Sequence, residues 1–152
     1  MQEHPFSDAD WQTVIEACRL VTNACLADDS VLHASKFVDL VEVLSELRRK
    51  YGDHPAIDEV QADFTENPKE QISLYERALK LAMENGLATL SIRMAMASSL
   101  LEDFGDAQRA AAELSACRLE LLKNGDKDER RQWTELWNEC NEQSAGQEPT
   151  GE

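Results

Sequence analysis

Between Asn67 and Leu122 the chain alternates turn residues with runs of helical period, and this stretch constrains the fold more than any other. Asn67 suits a helix cap, Pro68 suits the first helical position because its missing N–H would be unpaired there, and Glu70 completes a capping box. Asn85-Gly86 supplies the left-handed residue on which such a helix stops. Between these ends Tyr75, Ala78, Leu79 and Ala82 fall on one face, half bulk and half gap. Met94, Ala97, Ser98 and Leu101 then recur at i, i+3, i+4 and i+7. Gly105-Asp106 interrupts them, and Ala110, Leu114, Cys117 and Leu121 form the next stripe. A turn this short between two such stripes makes them antiparallel neighbours.

Tyr75 with Ala78-Leu79, the stripe through Met94, Ala97-Ser98 and Leu101, and the Gly105-Asp106 turn before Ala110, Leu114 and Cys117 together resemble the tetratricopeptide repeat. Small residues in such a pattern sit where two helices cross closely, and a large residue one turn away fills the space beside the crossing. Gln71 and Cys117 replace the family's usual small residues, and no proline closes the second helix, so the repeats are degenerate.

The rest of the chain reads the same way. Ser7 caps a first helix carrying Trp11, Val14, Ile15, Cys18, Val21 and Cys25, and Asp28-Asp29-Ser30 makes a turn. A second helix runs from Val31 to Tyr51, its last turn gathering Arg48, Arg49 and Lys50 beside the negative end of the helix dipole, and Gly52 ends it. Asp53-His54-Pro55 opens a short third helix with Ile57, Val60, Ala62 and Phe64. After Asn124-Gly125, Trp133, Leu136, Trp137 and Cys140 mark a closing helix. Ala34, Gln71 and Ala110, each just after a turn, are 37 and 39 residues apart, a little longer than the repeat norm of about 34. The expected fold is all-α, a stack of about three antiparallel helical hairpins (about 7–51, 53–85 and 88–123) with a capping helix over about 127–141. Together these make one helical domain over 7–142, with a flexible N-terminus over 1–6 and a disordered tail over 143–152. Trp133 and Trp137 would cover the last hairpin, or alternatively meet a second copy; a monomer is favoured over a homodimer.

Fifteen basic against thirty acidic residues give a net charge of −15. Affinity for nucleic acid or an anionic membrane surface comes from Lys and Arg, so neither is an expected partner. No apolar run reaches the length of a membrane span and the first ten residues lack a leader's pattern, so a cytoplasmic location is expected. Cys18, Cys25, Cys117 and Cys140 show no zinc spacing and fall at or near apolar positions. His4, His33 and His54 lack ligand-spaced companions, and the chain has neither a phosphate loop nor a nucleophile elbow. No enzyme activity, metal or cofactor is expected.

The resemblance implies a non-enzymatic protein–protein interaction module, in which the first helix of each hairpin lines a concave groove that takes a peptide or helix of a partner. Carried over residue by residue, the groove positions are Arg19 and Asn23, Val60 and Phe64, and Ile92, Ser99 and Asp103. Arg19 and Asn23 resemble half of a carboxylate clamp, whose other half is replaced by Ile57, Ile92 and Met96. A basic partner suits the charge. Two other roles fit the same features: a dedicated secretion chaperone or toxin-neutralising immunity-type partner, and an architectural subunit docking through the closing helix.

Overall fold

Most helix starts among the described residues are set by side chains reaching the unpaired N–H groups of the first turn. The computed structural model describes residues 4–146. Ser7 Oγ accepts the Asp10 N–H at 3.1 Å and starts α1 (Asp8–Leu26), and Asp29 Oδ1 accepts the Leu32 N–H at 3.0 Å and starts α2 (Ser30–Tyr51). At the end of α2 the chain turns through Gly52 with φ 82°, a backbone region that favours glycine. His54 starts α3 (Pro55–Phe64), its ring Nδ1 accepting the Ala56 N–H at 3.1 Å.

These helices, with the first turns of the next helix, belong to the first of two units, which runs to Leu74. Val14, Ala17 and Val21 of α1 meet Leu40, Leu44 and Leu47 of α2 in one apolar cluster, joined by Ile57 of α3. The spacings are those of single helical faces, and each fully buried leucine contributes about 1.5 to 3 kcal/mol. Close packing joins α1 to α2 and α2 to α3. Phe6 lies in the same cluster at 5% exposure, so the N-terminal segment is anchored from His4 onward where a flexible end was expected.

Asn67 Oδ1 accepts the Glu70 N–H at 3.1 Å ahead of α4 (Pro68–Glu84), and the boundary between the two units falls within this helix, after Leu74. The second unit continues through α5 (Leu90–Phe104), α6 (Ala107–Ala116), α7 (Arg118–Asn124) and α8 (Lys127–Gly146). Gly105 turns the chain at φ 59°, and Asp106 Oδ1 accepts the Arg109 N–H at 3.0 Å to start α6. Ala110 and Leu114 are buried where α6 packs on both α5 and α8, and Trp133, Leu136 and Cys140 form the buried stripe of α8. Arg93 of α5 pairs with Glu113 of α6 at 2.6 Å.

The described residues contain eight helices and no strand, so the fold is all-α. Several boundaries differ from the expected ones. The single helix expected after Gly105-Asp106 is interrupted at Cys117. There the Leu114 carbonyl takes the Cys117 N–H at 3.3 Å in a tightened turn and the Trp133 indole N–H at 3.0 Å. The closing helix continues past 141 to Gly146, while residues 147–152 of the expected tail lie outside the described residues, as do 1–3. In the expected 53–85 hairpin, α3 finds its close partner in α2. The start of α5 is capped from a distance: Glu120 of α7 accepts the N–H groups of Thr89 and Leu90 at 3.0 and 2.8 Å and the Thr89 hydroxyl at 2.9 Å.

Candidate functional site: the outer face of the first hairpin

The α1–α2 pair turns one side of each helix to the core, and a flank of each helix beside that packed side stays open to solvent. On α1, Gln12, Glu16 and Leu20 follow one another at intervals of four, and on α2, Lys36, Asp39 and Val43 follow at three and four. Each set lies on one helical face. Together they line an open cleft of about 430 Å³. Leu20, Val43 and the buried Ala17 give it an apolar floor, and the charged groups stand at its edges.

Those charges are already paired. Arg19 donates from Nε to Glu16 Oε2 at 2.8 Å, and Lys36 Nζ lies 3.6 Å from Asp39 Oδ2. The bond from Arg19 lowers the Glu16 pKa, and the same contact raises that of Arg19. Asn23, seven residues beyond Glu16, continues the same face as an exposed side chain. Further along, Leu26 and Val31 are each 80% exposed and flank the turn between the helices, with Leu32 beside them at 41%.

The structure thus places Arg19 and Asn23 on one exposed surface of α1. Val60 and Phe64 are half-buried and pack against the apolar cluster of the first unit. Ile92 and Ser99 are buried at 2% and 6% exposure, because α5 is apolar nearly all round and is covered on more than one side. Asp103 is exposed, and its Oδ2 accepts the Ser99 hydroxyl at 3.1 Å. Trp133 is buried with its indole N–H on Leu114, and Trp137 is half-buried and stacks on it at 5.2 Å between ring centres. The α2 wall of the cleft was missed by sequence reading. Its trace was the mixed stripe Lys36, Asp39, Val43, which runs along the flank of the Leu40, Leu44 and Leu47 face.

The chemistry of the remaining groups is quiet. Burial, with Asp63 nearby, pushes the Cys18 thiol up to about 11, and burial raises Cys117 and Cys140 likewise, so these sulfurs stay protonated and weakly nucleophilic at neutral pH. Among the described residues, no group of three or more His, Cys, Asp or Glu is arranged to hold a metal ion, and no helix is long and apolar enough to cross a membrane. Compared with known proteins, the chain matches no family model, no curated protein and no solved structure.

Proposed function

We propose that this chain is a non-enzymatic binding module, built as a degenerate tetratricopeptide-like array, which takes a peptide or helix of a partner protein against the outer face of α1 and α2. The observation that carries this reading is the cleft itself: an open apolar floor between two helices whose rim charges are neutralised within the chain. Such a surface suits an apolar side-chain row flanked by polar groups, the pattern of an amphipathic segment laid into a groove. It offers no pair of groups converging on one reacting atom, as acid–base chemistry would need. Arg19 and Asn23 lie on the same face of α1 as Glu16 of the cleft and would supply polar contacts, and the net charge of −15 favours a basic partner.

A tagged pull-down at low and high salt tests the proposal, comparing the native chain with Leu20→Glu and with the Arg19→Ala, Asn23→Ala double variant. One dominant protein, retained by the native chain, released by salt and lost with Leu20→Glu, supports the proposal. Equal retention by all three chains moves the binding surface elsewhere and refutes it.

A further inference from the structure

The N-terminal segment ends in a ring assembly that the binding face does not use. His4 stacks on Phe6 at 5.2 Å and lies 4.6 Å from the Trp11 ring, and Phe6 stacks on Trp11 at 5.5 Å. Phe6 also meets the edges of Tyr51 and His54, at 5.1 and 5.3 Å. His54 therefore does two things at once: its Nδ1 accepts the Ala56 N–H at the start of α3, and its ring forms a wall against Phe6. We infer that the segment from His4 to Phe6 is a strap, held on the first unit while His54 is neutral and released when that ring takes a proton.

The reason lies in the acceptor. Only a neutral imidazole can accept a hydrogen bond, and a protonated one presents an N–H to the Ala56 N–H and a positive charge to the positive end of α3. To escape both, the ring must turn out of its place, and Phe6 loses the wall behind it. The charged groups around the assembly do not offer relief. Asp53 and Asp58 are engaged by Arg48 at 3.0 and 2.9 Å, and Asp10 is engaged by Lys50 at 2.8 Å and by the Tyr51 hydroxyl at 2.6 Å. His4, beside Phe6, adds a second imidazole ring to the assembly. Burial and the neighbouring His4 lower the His54 pKa below its ordinary value of 6.5. A lowered histidine favours the closed form fully above pH 6.5, and that preference is lost as pH falls through the folded value. The start of α1 stays in place meanwhile, because Tyr51 Oη accepts the Ser7 N–H at 3.1 Å and Asp10, at about 2, remains ionised.

The test is a titration of the full chain from pH 8 to pH 5 by NMR, following the histidine rings, the Phe6 and Ser7 amides and the ring-to-ring contacts of Phe6. The expected result is loss of the Phe6–Tyr51 and Phe6–His54 ring contacts in step with the His54 resonance, with the Thr89 and Leu90 amides unmoved. His54→Asn keeps an acceptor for the Ala56 N–H without a titrating ring, and is expected to retain the Phe6–Tyr51 contact down to pH 5. Ring contacts that persist in the native chain after His54 is protonated overturn the inference, whatever the variant does. So does a loss of those contacts that does not follow the His54 resonance.

Discussion

Leu114 gives its carbonyl oxygen to two donors from different parts of the chain, the Cys117 N–H and the Trp133 indole, and so fixes both the break after α6 and the seat of α8. Trp133→Phe keeps most of the ring volume and deletes the indole donor. It is expected to lower stability by about 1 kcal/mol, read as a fall in the thermal midpoint. Asp10 carries a different kind of prediction. The hydrogen bonds from Lys50 and Tyr51 hold its pKa down at about 2 from the ordinary 3.8. A lowered carboxyl contributes stability that is present above about pH 4 and is lost as pH falls through 2. Asp10→Asn should flatten the acid limb of a stability–pH curve in that window while leaving its neutral region nearly level. At this scale the sequence was half legible. The Trp133, Leu136, Cys140 stripe was plain from its spacing, but its hydrogen-bond acceptor 19 residues earlier has no periodic signature. For the candidate site, Arg19 and Asn23 were readable as one face of α1; that Glu16 already holds Arg19 required side-chain geometry.

Elements were the most legible level, because caps and glycines are local chemistry. Ser7, Asn67 and Asp106 start helices where the sequence placed them. The α5 helix is buried on more than one face. A period of three and four picked out Met94, Ala97 and Leu101, all buried, and left Ile92 and Ser99 for a groove, yet Ile92, Met96, Ser99 and Leu100 are buried as well. A helix apolar nearly all round has no single face for periodicity to find. Ala97 is fully buried in α5. Ala97→Phe should overpack the core and cost about 1 to 3 kcal/mol, measured by denaturant midpoint, whereas Ser91→Ala at an exposed position of the same helix should leave the midpoint within about 0.5 kcal/mol.

For the whole molecule, fold class followed from composition and period, whereas the division of the chain within α4, between Leu74 and Tyr75, left no mark in the sequence, since a continuous helix carries both sides of it. With thirty acidic residues against fifteen basic ones, the folded state repels itself. Raising sodium chloride from about 10 mM to about 150 mM shortens the screening length from about 30 to about 8 Å. That change should raise the thermal midpoint, and an unchanged or lower midpoint would mean that the surface ion pairs lost to screening outweigh the repulsion. The Glu120 carboxylate gives a last consequence, one of timing. The chain is made from its N-terminus, and Thr89 and Leu90 leave the ribosome 31 and 30 residues before the side chain that holds their N–H groups. Through that interval the first turn of α5 is a helix start without its anchor, and the nascent second unit completes that turn only when α7 has emerged.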